Sequence, residues 1–480
     1  MTRRTKIVAT IGPATESPAM LRELVEAGMD MARLSLSHGP LDETLARVER
    51  VRAAGEACGR FVGVLADLPG PKVRAGAFPE GGVELAAGDE VDLVPGDADD
   101  PSSADTIVVG HEPLLDELEP GDVVAFGDGG LRVRVETVGD TSAGCVVLTG
   151  GRAQGRPGVA LPPERSSLSA PTPEDLRLLA ALWDAGVDAV AISFVRSAAD
   201  MDTARAVRPE ATLIAKIETA EAVNDLDAII SASDGVMVAR GDLGLRCALE
   251  DVPHHQKRII RTGVAFGRPV ITATQMLESM VHAATPTRAE VTDVANAVFD
   301  GTSALMLSAE TAIGEYPIEA VATMSRVAER AERDFDYEGW GRTLGRLQTA
   351  TATKAGSTEV RVTAAVSAAA WRASIDADVA AIIACTNTGA TARAISRFRP
   401  RVPVIAATPS VRTAHQLSVA WGITPMLTDR HDTTDDIVWF AVQTAVEELL
   451  VRSGELVAVL VGSPKDPAPT TDTLRLVRVR

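Results

Sequence analysis

Short apolar runs recur along the first two-thirds of the chain, at 5–11, 30–37, 61–68, 188–195, 212–218, 235–240, 269–274 and 303–308. Each has the length of a strand. Seven are rich in Val, Ile or Ala and bounded by Gly, Pro or Asp, whereas Asp30–Ser37 alternates polar and apolar residues. Helical periodicity separates them, as in Ser17–Gly28, Leu41–Gly59, Thr172–Gly186, Thr219–Ser231, Val252–Gly267, Thr287–Asp300 and Ile318–Phe335. Ser17 supplies a capping hydroxyl, Pro18 fits the first helical turn and Gly28 closes the helix. Pro173 plays the same part for the helix ending at Gly186. Eight strands alternating with helices predict an α/β protein built on a (β/α)8 TIM barrel.

The alternation breaks between about 71 and 160, where Val83–Val94 and Asp122–Val138 are β-rich, turns are Gly-Asp and no good helix appears. That pattern predicts a small all-β domain inserted after the third barrel strand. Asp336–Ser357 reads as a loose linker, and a second α/β pattern follows with strands at 380–386, 402–408, 423–428, 456–462 and 473–479. The expected division is a discontinuous barrel over 1–70 and 160–335, an inserted all-β domain over 71–159, and a C-terminal α/β domain over 355–480.

Composition narrows the partners. A chain of 480 residues, 46% hydrophobic and 24% charged, suits about three globular domains. Aromatics are only 3%, so Ala, Val, Leu and Ile must fill the interior. A net charge of -19 disfavours nucleic acid and anionic membranes as partners. An anionic substrate would need local arginines and lysines. Cys58, Cys145, Cys247 and Cys385 are scattered, which argues against a disulfide framework or a zinc site. Met1-Thr2-Arg3-Arg4 runs straight into strand-like Lys6–Thr10, and no apolar run reaches membrane-spanning length. The expectation is a cytoplasmic protein.

Barrel enzymes place their chemistry at the C-terminal ends of the strands. Strand five ends with Lys216 and Glu218 on one face, which is either a structural ion pair or a working one. Strand six runs into Arg240-Gly241-Asp242-Leu243-Gly244, where Asp242 adds a second carboxylate. Two carboxylates with waters and substrate oxygens suit Mg²⁺. The amides near Gly241 and Asp242 could cradle an anion, or form an ordinary Gly-rich turn. In strand two, Arg33, Ser35 and Ser37 alternate onto one face, a combination suited to phosphate. Thr274 ends strand seven, and Ser308 and Glu310 end strand eight. His38, His254 and His255 carry no assigned role.

These residues lie within longer motifs: KIVATIGP from Lys6, Met31–Gly39, Lys216–Glu218, MVARGDLG from Met237, ATQMLESM from Ala273, PTRAEVTDVANAVFDG from Pro286 and MLSAET from Met306. In that order and spacing the chain resembles the pyruvate kinases over nearly its whole length. The resemblance implies transfer of the phosphoryl group of phosphoenolpyruvate to ADP in glycolysis, giving pyruvate and ATP. Glu218 and Asp242 would hold Mg²⁺, with Mn²⁺ as an alternative. Lys216 and Arg33 would contact the transferring phosphoryl group. Gly241, Asp242 and Thr274 would hold the substrate carboxylate. Arg74 would reach the nucleotide phosphates, with Arg156 in place of the family's lid lysine. Thr274, Ser308 and Glu310 would line the route by which the enolate is protonated. The resemblance also implies that the inserted β-barrel over 71–159 is a lid domain, that the C-terminal α/β domain over 355–480 is a regulatory domain, and that the chain forms a homotetramer.

The departures matter as well. Ser35 stands where potassium-requiring members have Asn, Ser37 and Asp67 keep two cation-ligand positions, and Lys72 replaces a Glu. A tethered ammonium can supply the charge that K⁺ otherwise supplies, so no K⁺ requirement is expected. Ala160 replaces a lid-hinge Asn, Arg246 an acidic residue, Thr285 an Arg and Ser303 an Asp. The loop Thr386–Thr391 opens a helix after a strand and would either bind a phosphorylated effector or simply cap that helix. The competing readings are a barrel lyase or mutase acting on phosphoenolpyruvate or pyruvate, and a catalytically silent metabolite sensor. Retention of Lys216, Glu218 and Asp242 weighs against the sensor.

Overall fold

A computed structural model describes residues 3–37, 40–127, 130–162, 168–344, 358–463 and 470–480. Eight parallel strands close into a barrel: Lys6–Thr10, Met31–Ser35, Gly63–Asp67, Ala189–Ile192, Leu213–Ile217, Gly235–Ala239, Val270–Ala273 and Ala304–Leu307. Each falls inside one of the eight expected runs. Alternation along the strands sorts the apolar side chains. Val8, Met31, Leu65, Ile214, Met237, Ile271 and Met306 fill the bore. Residues such as Ile7, Val64, Ile217 and Leu305 pack outward against the helices.

The helices begin where the sequence places caps. Thr172 and Thr287 each complete a capping box, with Asp175 and Glu290 respectively. Such a cap contributes about 1 kcal/mol. Three expectations need correction. Thr219–Ser231 is two helices, Ala220–Asn224 and Leu226–Ala232, broken where the Asp225 carboxylate turns to accept the Ala198 amide. Arg240–Arg246 is a short helix and not an extended strand end running into a glycine turn, because the Arg240 side chain is anchored across the strand-seven loop. Strand two stops at Ser35 and Ser37 lies in a turn, so the expected alternation does not reach Ser37.

The segment after the third strand contains a six-stranded sheet, running from Glu90–Pro95 to Val159–Ala160, and a two-stranded one. Its core includes Phe78, Leu93, Ile107, Val133 and Val147. The run Val83–Val94 resolves into Val83–Leu85 and Glu90–Pro95 around a Gly88 turn, and one short helix, Leu114–Glu117, interrupts the β pattern. Residues 337–344 are helical rather than a loose linker, because Phe335, Tyr337 and Trp340 pack with Trp421. Residues 345–357 of that linker, His38 and Gly39 lie outside the described residues.

A five-stranded C-terminal sheet follows, with Thr473–Arg478 antiparallel at its edge. This sheet's helical layer closes the bottom of the barrel. Val419 joins the bore cluster, Lys6 Nζ donates to Ile423 O at 2.9 Å, and His415 Nδ1 lies 2.9 Å from Val62 O.

Candidate active site

At the mouth of the barrel a chain of charges crosses four strand ends. Arg33 Nε donates to Asp67 Oδ2 at 2.6 Å. Lys216 Nζ lies 3.2 Å from Asp67 Oδ1 and 2.9 Å from Glu218 Oε1. It also donates to Ser193 Oγ at 2.7 Å, and that hydroxyl donates to Leu68 O at 2.7 Å. Glu218 is fully buried, and its Oε2 accepts the Phe194 amide at 2.6 Å. The expected Lys216–Glu218 alignment is therefore present, and Asp67 and Ser193 complete it.

Burial and neighbours set the charge states. Burial alone would raise the Asp67 carboxyl, but Lys216 and Arg33 outweigh it and hold Asp67 below the usual carboxylate range. Burial would lower Lys216, but Asp67 and Glu218 outweigh it and raise the ammonium above its ordinary value, so Lys216 is a permanent cation. Burial raises Glu218, Asp242 adds to the rise, and Lys216 opposes it. Glu218 Oε1 is buried with the Lys216 ammonium as its one polar neighbour among the described residues. Asp242 forms no ion pair among the described residues.

Strand seven ends in strain. Thr274 and Gln275 have φ of 67° and 52°, a region that costs side-chain-bearing residues about 1–3 kcal/mol each. Arg240 holds this turn: Nε donates to Ala273 O at 3.1 Å, Nη2 to Thr274 O at 2.7 Å, and Nη1 pairs with Asp293 at 2.7 Å. Thr274 Oγ1 accepts the Gly241 amide at 2.8 Å. Of the amides expected to cradle an anion, that of Gly241 thus meets a hydroxyl.

Above these groups lies a cavity of about 380 Å³, lined among others by Lys72, Gly241, Asp242, Arg246, Thr274 and Ser308. One wall, Gly158–Leu161, comes from the inserted domain. The cavity is thus shared between the barrel mouth and that domain.

Sequence comparison bears on this arrangement directly. A family model described as "Pyruvate kinase, barrel domain" matches residues 2–321, and one described as "Pyruvate kinase, alpha/beta domain" matches 364–477. A pyruvate kinase of Agrobacterium vitis is 41% identical over 99% of this chain and 98% of its own length. One of Methylorubrum extorquens is 40% identical over 99% and 98%. One of Mycobacterium tuberculosis is 38% identical over 100% and 99%. The chain belongs to the pyruvate kinase family.

Within the pyruvate kinase frame, the other expected site residues fall in different places. Ser308 lines the cavity, but Glu310 is fully buried behind it, where it accepts the Ser308 amide at 2.6 Å and the Leu277 amide at 3.1 Å. Arg74 Nη1 donates to Arg156 O at 3.3 Å and Arg156 pairs with Asp99, so these two meet each other. Neither lines the mouth cavity. Lys72 is exposed at the cavity wall and forms no ion pair among the described residues. Ser35 and Ser37 make no side-chain hydrogen bond to Asp67, whose oxygens meet Arg33 and Lys216. Arg246 stacks over Phe194, 5.2 Å from the ring centre. Ser193, Arg240 and Asp293 were not foreseen. Arg240 sits inside the MVARGDLG motif and was the one with a signal, an arginine at a barrel strand end.

Among the described residues no group of three His, Cys, Asp or Glu is placed to share a metal ion. Glu218 and Asp242 nonetheless fit a cation that keeps most of its waters, since Asp242 lines the cavity and forms no ion pair among the described residues. No helix among the described residues is long and apolar enough to cross a membrane.

Proposed function

We propose that this pyruvate kinase family member transfers the phosphoryl group of phosphoenolpyruvate to ADP with Mg²⁺, and that it needs no K⁺. The observation that carries the reading is the Arg33–Asp67–Lys216–Glu218 chain, which holds two cations against two carboxylates at the barrel mouth, while Asp242 lines the cavity there without an ion pair among the described residues. Phosphoryl transfer asks a protein mainly for positioning and charge stabilisation. Lys216 and Arg33 supply fixed positive charge at the floor of the site. Glu218 and Asp242 would hold the divalent cation, which when bound would neutralise charge on the phosphoryl oxygens. Thr274 orients the substrate carboxylate from the strained turn, and Arg240 keeps that turn in place. Loss of the phosphoryl group leaves an enolate that must gain a proton at carbon. Thr274 and Ser308 face the cavity on that route, with Glu310 positioning Ser308 from behind.

Freedom from K⁺ rests on Asp67. Both of its oxygens already meet fixed cations. Lys72 adds an ammonium at the cavity wall. Arg74 and Arg156 belong to the nucleotide side of this reading, reached when the inserted domain closes. A cytoplasmic homotetramer with a phosphorylated effector at the Thr386–Thr391 loop completes the proposal. The test is pyruvate formation from phosphoenolpyruvate, ADP and Mg²⁺ in K⁺-free buffer, followed by added K⁺. Full activity before K⁺ is expected. A large K⁺ stimulation contradicts the part played by Asp67 and Lys72. Inactivity of folded protein in both buffers overturns the enzymatic reading in favour of a metabolite sensor.

A further inference from the structure

The base of the barrel carries an internal repeat. Asp30, Asp188 and Asp234 each stand one residue before an even-numbered strand. Each accepts an amide from the preceding odd strand: Ile7 at 2.9 Å, Val64 at 2.7 Å and Leu213 at 3.0 Å. Each Asp amide donates back to the carbonyl of the same residue. Each also pairs with an arginine: Arg3 with Asp30 at 2.8 Å, Arg52 with Asp188 at 2.6 Å, and Arg205 with Asp234 at 2.6 Å. The fourth unit keeps the backbone bond, Ser303 N to Val270 O at 2.9 Å, but has Ser303 where the carboxylate would be.

The arginines are nevertheless gathered there. A recess of about 20 Å³ is bordered by Ser303, Arg268, Arg393, Arg397 and Arg399. Arg393 and Arg399 form no ion pair with any described residue, and the buried Nε atoms of Arg268 and Arg399 have no hydrogen-bond partner. Burial pushes Arg393 down to about 10 and Arg399 down to about 9, more than the opposing charges of Asp234 and Glu332 restore. Arg393 also lines a neighbouring cavity of about 350 Å³ between the barrel base and the C-terminal domain. Arg412, stacked 3.6 Å over the Trp183 ring, lies on its far side. The acidic groups there are engaged: Asp234 by Arg205 and the Leu213 amide, Glu210 by Trp183 Nε1 at 3.2 Å.

We propose that this interdomain cavity binds a small phosphomonoester, whose phosphate oxygens supply the negative charge missing from the fourth unit. A dianion matches Arg393, which lines the cavity without an ion pair, and Arg399 in the recess, whose guanidinium is held by the Thr302 carbonyl and the Trp421 ring but by no carboxylate among the described residues. The recess admits about one water-sized group, so a phosphate oxygen enters it beside Arg393 while the rest of the molecule occupies the larger cavity. The site stands at the opposite end of the barrel from Lys216 and does not depend on the catalytic reading. It is also separate from the cavity on the outer face of the C-terminal domain, which contains Arg430. The two cavities share Asn387 and Thr388, and Arg393 Nη2 donates to Thr388 O at 3.1 Å, so an anion on Arg393 would also act on that loop.

The test measures binding of ribose 5-phosphate, inorganic phosphate and ribose to the full chain by calorimetry. Ribose 5-phosphate should bind, inorganic phosphate at least tenfold more weakly, and ribose not at all. Ser303→Asp should abolish binding while raising the thermal midpoint of the ligand-free protein, because the variant carries its own carboxylate. Arg393→Gln should weaken binding at least tenfold, and Arg430→Ala should leave it unchanged. Absence of ribose 5-phosphate binding, its survival in both Ser303→Asp and Arg393→Gln, or its loss in Arg430→Ala overturns the proposal.

Discussion

At the base of the barrel Asp30 receives Arg3, Arg60 and the Ile7 amide, and neither of its oxygens lacks a partner. At the mouth Glu218, buried more deeply still, has a single partner on each oxygen among the described residues, the Phe194 amide on one and the Lys216 ammonium at 2.9 Å on the other. Both are carboxylates buried among cations. Their difference is completeness. A buried charge is tolerated when its hydrogen bonds are filled, and an unfilled one persists where a ligand completes it. The base is organised to hold the C-terminal domain against the strands. The mouth is organised to wait for a substrate.

That contrast can be broken most severely at Lys216. Lys216→Met should lower kcat by about a thousandfold, the loss expected when a fixed charge at a transferring group is removed. A loss under tenfold would make Lys216 a structural residue like those at the base. Arg240→Ala should reduce kcat by about a hundredfold by releasing the Thr274 turn, through misplacement rather than lost contact with substrate. Arg240→Lys should recover little, since one ammonium cannot reach both the Ala273 and Thr274 carbonyls as the guanidinium fork does. Recovery to wild-type kcat would show that charge alone suffices.

Asp30→Ala should behave in the opposite way. It should destabilise the protein by about 3–5 kcal/mol in chemical denaturation, because it strands buried cations, while kcat of the folded protein stays within about twofold of wild type. Loss of turnover without loss of stability would blur the two ends into one. The smallest effect concerns His415, which joins the C-terminal domain to Val62. Burial, aided by Arg52, pushes its imidazole down to about 4. Its ordinary value is near 6.5, so the unfolded chain binds the proton first as pH falls. The stability it contributes is complete above about 6.5 and is lost as pH drops toward 4. Thermal midpoints across that range should fall less steeply in His415→Gln. Identical slopes would remove His415 from the account.

Much of this was legible in the chain. All eight barrel strands lie inside runs read from the patterning, seven as short apolar runs bounded by turn residues and the second as an alternating one. The Lys216–Glu218 pair followed from strand periodicity alone. What periodicity could not supply was contact between distant segments. Asp67 bridges Arg33 and Lys216 across strands far apart in sequence, and Ser193 enters from a strand that ends in otherwise unremarked residues. The helix at Arg240–Arg246 contains two glycines, so propensity opposed it, and the anchored Arg240 side chain overrode that preference. The base repeat was hidden for a similar reason. Its aspartates lie outside the strands, and only the closed barrel brings each beside its arginine.

The most direct test of an open mouth against a closed base is a count of bound Mn²⁺ by electron paramagnetic resonance, with Mn²⁺ standing in for Mg²⁺. The account predicts one Mn²⁺ per chain at the mouth, lost in Glu218→Gln and in Asp242→Asn and retained in Asp30→Asn. Undiminished binding in Glu218→Gln, or loss of binding in Asp30→Asn, would contradict it.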